Sequence, residues 1–268
     1  MKNLDKIFAE YKKLNVVLSL EDEQALIYDY IYTTNKLEGN KLTLAQTTSI
    51  IEKGTVSGED VSLRDMLEQK GAYKAVKRML KAVVSKEPLS KELVIELNWL
   101  LLESLWKDDF YLSYKAKGQE PGQLKVASNQ IKITLPTGKT EIIQPLSSPE
   151  NAEQNLIDLI NQVNSSTKSI IEKASFLAQE IWLHQPFIDG NKRTGRLFIN
   201  FLLMKEGYPL FVYEDRSQNY NSLLVEQYME NKPGLIENYI AEKLIDRMQY
   251  YINIDKNKGS NLGFRMML

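Results

Sequence analysis

The stretch His184-Gln185-Pro186-Phe187-Ile188-Asp189-Gly190-Asn191-Lys192-Arg193-Thr194-Gly195-Arg196 decides the fold and the chemistry expected of this chain. It joins the only histidine of the sequence to an aspartate, a glycine and two arginines. An imidazole exchanges protons near neutral pH, a carboxylate suits a hard cation such as Mg²⁺, and glycine with arginine suits phosphate. The stretch therefore predicts nucleotide chemistry, with a polar turn between two helices as the alternative.

The residues on either side of this stretch predict two helices. Residues 170–183 are strongly apolar, as in a buried helix, and residues 197–204 resume a helical pattern that Gly207 and Pro209 end. A loop that leads into a helix N-terminus presents unpaired N–H groups and a partial positive charge. Gly190 permits close backbone approach there, and Asn191 is expected either to hold the loop or to meet phosphate oxygens.

Four side chains have distinct expected roles in such a loop. Arg193 and Arg196 are three residues apart, so they lie on one side of the following helix and can bracket a di- or triphosphate. Asp189 would bind the metal that bridges the phosphates, and His184 would deprotonate an incoming hydroxyl. This set favours transfer of a nucleotide fragment to a nucleophile. The alternative is an ordinary loop in which the histidine caps a helix.

Helical periodicity dominates the residues before position 110. The helix that starts at Asp22 is expected to fade at 33–35, with Glu38-Gly39-Asn40 as its terminus or a short turn. Thr43 and Gln46 have the spacing of a capping box for the next helix. Gly54 to Gly58 is predicted to be a loop, and two further helices are predicted over 65–84 and 90–105, the second capped by Ser90.

The pattern changes after Phe110. Alternation over 131–135 predicts a strand, and Pro136-Thr137-Gly138 predicts a turn before a partner strand at 142–143. Together they form a hairpin within about 123–143. Helices are expected to return at Pro149 and to fill 217–251 as two elements, while 257–268 is expected to be frayed or dependent on a partner.

Composition excludes several classes of protein. The net charge of −1 argues against binding to nucleic acid through bulk charge. Cysteine is absent, which rules out disulfides and thiolate metal sites, and one histidine rules out a multi-histidine zinc site. The charged start and the lack of an apolar run of about 18 residues predict neither a signal peptide nor a membrane span. The expectation is a cytoplasmic protein that binds no nucleic acid directly.

The loop resembles the signature of the Fic (filamentation induced by cAMP) family, His-Pro-Phe-x-Asp/Glu-Gly-Asn-Gly/Lys-Arg-x-x-Arg. Residues 186–196 match it at every position, and the resemblance extends to Gly207-Tyr208-Pro209 and a helix near Asp215-Arg216, covering about 95–245. It implies a mainly α helical bundle with one β-hairpin, the flap, on which a target segment docks as an added strand. The implied organisation is an N-terminal helical region at 1–94, a Fic core at 95–245 and a C-terminal tail at 246–268.

The resemblance also implies an activity, which is transfer of AMP from ATP to Ser, Thr or Tyr of a protein with release of pyrophosphate. His184 would be the general base and Asp189 the Mg²⁺ ligand. The Doc branch of the family, which transfers phosphate, usually has alanine at the Gly190 position and lacks the second arginine, so AMP transfer is favoured. The implied nucleotide-binding residues are Gly190, Asn191, Lys192, Arg193 and Arg196, with Tyr220 as a candidate for the adenine pocket or for core packing.

One departure from the signature leaves two readings open. The family has Pro directly after His, whereas Gln185 intervenes here. Either His184 still reaches the site, so that His184→Ala abolishes transfer, or Gln185 occupies the histidine position. Glutamine cannot act as a general base, so the second reading implies a weak transferase or a silent nucleotide-binding regulator. Removal of AMP, or transfer of another phosphate-linked group, is a further alternative.

A second motif lies at residues 34–39, where Thr34 and Glu38 fit the Ser/Thr-x-x-x-Glu-Gly/Asn pattern of the inhibitory helix in many Fic proteins. A carboxylate near Arg196 would pair with the arginine that should orient the γ-phosphate. The resemblance therefore implies autoinhibition by Glu38, and Glu38→Gly is expected to raise AMP transfer. The implied partners are a target protein docked on the flap and a possible second copy of the chain.

Overall fold

The protein, seen here as a computed structural model, is described over residues 2–14, 19–58, 61–134, 138–214 and 220–260. Those residues form eleven α-helices and one two-stranded antiparallel hairpin, which confirms the predicted mainly α fold. The helices are α1 (Lys2–Tyr11), α2 (Leu20–Lys36), α3 (Leu44–Lys53), α4 (Leu63–Val84), α5 (Lys91–Leu102), α6 (Leu112–Lys115), α7 (Ala152–Ser165), α8 (Ile170–His184), α9 (Asn191–Lys205), α10 (Tyr220–Met229) and α11 (Leu235–Ser260); the strands are β1 (Ile131–Thr134) and β2 (Thr140–Ile143).

Helices α8 and α9 form the centre of the bundle, and the loop between them is the predicted site. Every residue from 193 to 203 is buried, so α9 is surrounded by other elements, including α4 and α5. Gly195 allows α8 to approach closely, because a Cβ at that position would lie 3.0 Å from the carbonyl oxygen of Ala178. The loop is therefore fixed at both ends by the best-packed part of the core.

The predicted N-terminal elements are present, with small shifts at their ends. Helix α2 starts at Leu20 after the N-cap Ser19 and continues to Lys36, slightly beyond the predicted fade. The capping box of Thr43 and Gln46 is confirmed at the start of α3. Residues 37–39 form a turn between these helices, and this turn carries Glu38.

The predicted hairpin is confirmed within 131–143. Ile131 pairs with Ile143 and Thr134 with Thr140, and the side chains of β1 alternate between buried and exposed as the sequence pattern predicts. Residues 135–137, where the predicted turn begins, lie outside the described residues.

Two predicted helix boundaries differ from the structure. The helix expected at Pro149 starts at Ala152, because a turn precedes it in which Asn151 Oδ1 accepts from the backbone N–H of Ser148. The helix expected to reach residue 105 ends at Leu102, before a 3₁₀ turn at Leu105–Lys107. The predicted domain boundaries at 94/95 and 245/246 fall inside α5 and α11.

The predicted helix start near 215–216 and the last residues, 261–268, lie outside the described part of the chain, whereas 257–260 continue α11. None of the helices within the described ranges combines the length and the apolar character needed to cross a membrane.

Candidate active site

The loop between α8 and α9 lines a cleft of about 180 Å³. Helix α8 ends at His184, and Gln185 turns the chain with φ of 47° and ψ of 57°, a left-handed conformation that is uncommon outside glycine. Gly190, with φ of +77°, precedes the first residue of α9. A Cβ at Gly190 would lie 2.9 Å from Asn98 Nδ2, so both the backbone angle and the space favour glycine there.

The side chain of Asn191 holds the loop in shape. Its Oδ1 accepts from the backbone N–H of Phe187 at 3.0 Å, and its Nδ2 donates to the Phe187 carbonyl and to Gln185 Oε1, each at 2.8 Å. Of the two roles expected for Asn191, the structure therefore has it bracing the loop. Phe187 is buried and anchors this brace in the core.

The start of α9 presents an anion-binding surface to the cleft. The first intrahelical bond runs from the N–H of Thr194 to the carbonyl of Gly190 at 2.8 Å, so the amides of residues 191–193 precede the hydrogen-bonded ladder. Lys192 and Arg193 line the same cleft. The helix dipole and these two cations together favour a phosphate at this position.

Asp189 is a suitable ligand for Mg²⁺ in this cleft. Its side chain is 30% exposed and lines the cleft, with Arg193 Nη2 3.5 Å from its Oδ2. Within the described residues no group of three His, Cys, Asp or Glu could hold a metal ion, so a cation at Asp189 would take other ligands from phosphate and water. Mg²⁺ commonly binds in that way, through one or two carboxylates and substrate phosphates.

Arg193 is almost fully buried among carboxylates. Glu68 Oε1 of α4 lies 3.7 Å from its Nη1, and that nitrogen has no hydrogen-bond partner among the described residues. A buried guanidinium nitrogen without a partner is costly. Arg193 is thus held near the cleft by charge and has donor capacity left for an anion.

Arg196 is fully buried and contacts both residues of the predicted inhibitory motif. Its Nε donates to Thr34 Oγ1 and its Nη2 to the Thr34 carbonyl, each at 2.8 Å. Its Nη1 lies 2.8 Å from Glu38 Oε1 and donates to Asn221 Oδ1 at 3.1 Å. The guanidinium group therefore donates hydrogen bonds to α2 and α10 and forms an ion pair with the turn that follows α2.

Glu38 also pairs with Lys192, whose Nζ lies 2.8 Å from Glu38 Oε2. Burial by itself would raise the pKa of Glu38, but the charges of Lys192 and Arg196 outweigh it and lower that pKa to about 2. Glu38 is therefore ionised at neutral pH. Its carboxylate occupies the cleft beside the start of α9.

His184 is not among the residues that line the cleft. Its Nδ1 lies 2.6 Å from Ser147 Oγ, and its Nε2 lies 3.5 Å from Glu180 Oε2. Gln185, by contrast, lines the cleft, and its Nε2 donates to the Trp182 carbonyl at 2.6 Å. Of the two residues, Gln185 is the one that lines the cleft, as the second interpretation of the His-Gln-Pro sequence expects. The role of His184 as the general base stays a prediction.

Sequence reasoning missed several residues that hold the site. Asn98 donates to the carbonyl of Asp189, and Tyr111 donates to its carboxylate. Burial, together with Asp189 nearby, raises the pKa of Tyr111, so its hydroxyl stays a donor. Lys125 is buried, which lowers its pKa to about 8, and its Nζ donates to the carbonyls of Ser147 and His184. No local pattern distinguishes these residues, because their partners are far away in sequence.

Tyr220 and the hairpin differ in whether they reach the cleft. Tyr220 is buried with its ring edge-on to Tyr213 at 5.2 Å, and it does not line the cleft. The structure therefore places Tyr220 in the packed core. The hairpin does reach the cleft, which Ile131 and Lys132 help to line.

Comparison with known proteins adds to this geometry. Residues 88–203, which run from just before α5 into α9, match the Fic/DOC family. Protein adenylyltransferase fic-1 of Caenorhabditis elegans is 27% identical over 237 residues, which cover 87% of this chain and 42% of that protein. Protein adenylyltransferase Fic of Nematostella vectensis is 27% identical over 243 residues, 86% of this chain and 51% of that protein. The chain thus spans about half the length of these relatives or less.

Solved structures have the same fold. A Fic domain containing signaling protein from Bacteroides thetaiotaomicron superposes with a TM-score of 0.78 at 26% identity, over 95% of this chain and 97% of that one. A fragment of Fic-1 from C. elegans superposes with a TM-score of 0.71 at 24% identity, over 94% of this chain and 71% of that one. The likeness extends over nearly all of the chain, including the helices before residue 88.

Proposed function

We propose, from the premise that residues 88–203 form a Fic/DOC family domain, that this chain transfers AMP from ATP to a hydroxyl side chain of a protein. The observation that carries the proposal is the cleft at the start of α9. It brings Asp189, Lys192 and Arg193 together beside the unbonded amides of 191–193. That combination suits the phosphates of a nucleotide.

Each group in the cleft has a role in this reaction. The amides at the start of α9 would bind the α-phosphate, and Arg193 would bind the phosphates of the leaving pyrophosphate. Arg196 would orient the γ-phosphate once its present partners release it. Asp189 would hold Mg²⁺, which neutralises phosphate charge when bound. The target hydroxyl would attack the α-phosphorus and lose its proton to water, forming a phosphodiester bond as the bond to the leaving pyrophosphate breaks.

We propose further that Glu38 inhibits this reaction. Glu38 forms ion pairs with Lys192 and Arg196, so its carboxylate takes up charge that the γ-phosphate would need. Because the pKa of Glu38 is about 2, protonation does not release it near neutral pH. ATP bound beside Glu38 would adopt an unproductive pose.

A second function, binding of nucleotide with little transfer, is favoured by one observation. Gln185 lines the cleft, and His184 is bonded to Ser147 instead. A glutamine cannot remove a proton from the attacking hydroxyl. General base catalysis is typically worth about 10²- to 10⁴-fold in rate, so its loss leaves a slow transferase or a nucleotide-binding regulator.

We place the target protein on the hairpin. Ile131 and Lys132 of β1 line the cleft, so a target segment added as a strand beside the hairpin would lie next to the reacting phosphate. Backbone hydrogen bonds would then supply affinity with little dependence on the target sequence.

The test is label transfer from [α-³²P]ATP with Mg²⁺, with pyrophosphate release followed in parallel. Glu38→Gly is expected to raise labelling of the chain itself or of a partner by more than tenfold over wild type. In that background, His184→Ala should leave labelling unchanged, and Gln185→His should raise it by about 10²-fold.

The outcomes separate the candidates. Loss of labelling in the His184→Ala variant would restore His184 as the base. If the Glu38→Gly, Gln185→His double variant binds ATP but releases no pyrophosphate, the chain is a nucleotide-binding regulator. If no variant binds ATP at all, both functions are wrong.

A further inference from the structure

A buried tyrosine outside the loop holds the carboxylate of Asp189. Tyr111 ends the 3₁₀ turn Asp109–Tyr111, and its side chain is fully buried. Its hydroxyl donates a hydrogen bond of 2.6 Å to Asp189 Oδ2. Hydrogen bonds to an ionised carboxylate are shorter and stronger than those between neutral groups. One carboxylate oxygen of Asp189 thus has a partner from a segment distant in the sequence.

The ring of Tyr111 is itself fixed by its neighbours. It stacks on Trp106, with 4.7 Å between ring centroids and 30° between ring planes, and it meets the edge of Phe110 at 5.0 Å. Trp106 is buried as well. Aromatic contacts on two sides keep the Tyr111 hydroxyl in one position.

Asp189 is restrained at its other atoms and still remains accessible. Asn98 Nδ2 donates to its backbone carbonyl at 3.1 Å, and Oδ1 accepts from the N–H of Gly190 at 2.6 Å. The side chain is nevertheless 30% exposed. Since an ionised carboxylate has about four acceptor positions, lone pairs remain for a cation that enters from the cleft.

We infer that Tyr111 is a positioning residue that sets the orientation in which Asp189 binds a divalent cation. The inference rests on the proposed function, because that function requires a cation at Asp189. A ligand that is already oriented loses less freedom when the metal binds, and removing such an outer partner typically weakens metal affinity about 10- to 100-fold. A purely structural tyrosine would have no effect specific to the cation.

The test compares Tyr111→Phe with its parent in the full chain carrying Glu38→Gly. Electron paramagnetic resonance measures Mn²⁺ affinity in the presence of α,β-methylene ATP, and a titration of the same analogue in EDTA measures metal-free nucleotide affinity. Tyr111→Phe is expected to weaken Mn²⁺ binding about tenfold or more and to leave metal-free nucleotide affinity unchanged. These two readouts separate positioning of the ligand from damage to the fold.

Tyr114→Phe is the matched control, because the Tyr114 ring lies 6.4 Å from that of Tyr111 and makes no hydrogen bond to Asp189 within the described residues. It should leave both affinities unchanged. In an Asp189→Asn background, Tyr111→Phe should cause no further loss of Mn²⁺ affinity, because the ligand that it orients is gone.

Two results would overturn this inference and leave the proposed function standing. In the first, Tyr111→Phe keeps its Mn²⁺ affinity while Asp189→Asn loses Mn²⁺ affinity. In the second, Tyr111→Phe loses metal-free nucleotide affinity as much as it loses Mn²⁺ affinity. If the Glu38→Gly parent itself bound no Mn²⁺ with the nucleotide, the proposed function would fail and this inference with it.

Discussion

The carboxylate of Glu38 pairs with two cations at once, Lys192 Nζ and Arg196 Nη1, each at 2.8 Å. Arg196 is buried completely, so it needs partners whether or not nucleotide is present. Thr34 supplies two of them through its hydroxyl and carbonyl oxygens. Glu38 therefore stabilises the fold around a buried arginine, apart from the inhibition proposed for it.

Glu38 makes the free energy of unfolding depend on pH. Its folded-state pKa of about 2 lies below the usual 4.5, so the unfolded chain binds the proton more readily. The contribution of Glu38 to the free energy of unfolding is thus complete above pH 4.5 and is lost as the pH falls toward 2. The difference in unfolding free energy between wild type and Glu38→Gln should be about 2 kcal/mol, constant from pH 5 to 8 and smaller below pH 4.

Urea unfolding at a series of pH values measures this difference. Glu23→Gln, an exposed carboxylate on α2, is the matched control and should show a small difference at every pH. A difference for Glu38→Gln that changes between pH 5 and 8 would contradict the low pKa.

At the scale of elements, a buried polar network joins the end of α2 to α4. Asn35 Nδ2 donates to Gln69 Oε1 at 2.9 Å, and Asn40 Nδ2 donates to Glu68 Oε2 at 2.9 Å. Gln69 Nε2 in turn donates to Asn40 Oδ1 at 3.1 Å. All four residues are buried. The network fixes both ends of the turn that carries Glu38, so α4 helps to hold the carboxylate of Glu38 in place.

Asn40 tests whether this network holds the turn. Asn40→Ala removes the bonds to Glu68 and Gln69 and leaves buried groups without partners, which should lower stability by about 1–3 kcal/mol. Because Glu38 is then less well held, AMP transfer should rise severalfold in the wild-type chain and stay unchanged in the Glu38→Gly background.

Label transfer in both backgrounds measures the effect of Asn40→Ala on AMP transfer. The control is Lys41→Ala, which changes an exposed neighbour in the same segment. An equal rise in the Glu38→Gly background would mean that Asn40 acts on the site by another route.

At the scale of the whole molecule, one hydrophobic core includes residues from all three predicted regions, 1–94, 95–245 and 246–268. Leu4 of α1, Ile31 of α2 and Met248 of α11 all belong to it. Phe8 of α1 stacks on Tyr208 with 3.8 Å between ring centroids. The helices before residue 95 are therefore packed into the same core as α8 and α9.

A shared core should unfold as a unit. Tryptophan fluorescence reports on Trp99, Trp106 and Trp182 of α5 to α8. Far-ultraviolet circular dichroism reports on all helices. The two signals should give coincident urea transitions. An earlier transition in the dichroism alone would indicate that the N-terminal helices unfold separately and that the boundary near residue 94 is a real domain boundary.

Much of the fold follows from local sequence. Apolar periodicity predicts α2, α4 and α8, and the caps Thr43 and Ser90 mark the starts of α3 and α5. Helix ends are less well predicted: α7 starts three residues after Pro149, because the side chain of Asn151 stabilises a turn that competes with the helix. The predicted phosphate-binding half of the loop also rests on local sequence, since glycine, arginine and a helix start suffice to predict an anion site.

The sequence by itself thus determined the helices, the hairpin and the chemistry of the loop, because each depends on residues close together in the chain. The tertiary structure alone decided which side chains meet. The left-handed turn at Gln185 directs that residue into the cleft and leaves His184 against Ser147. The packing of α2, α4 and the turn at Tyr111 around α9 brings Glu38, Glu68 and Tyr111 to the loop. Such contacts join distant segments, so only the packed core fixes their distances and charges.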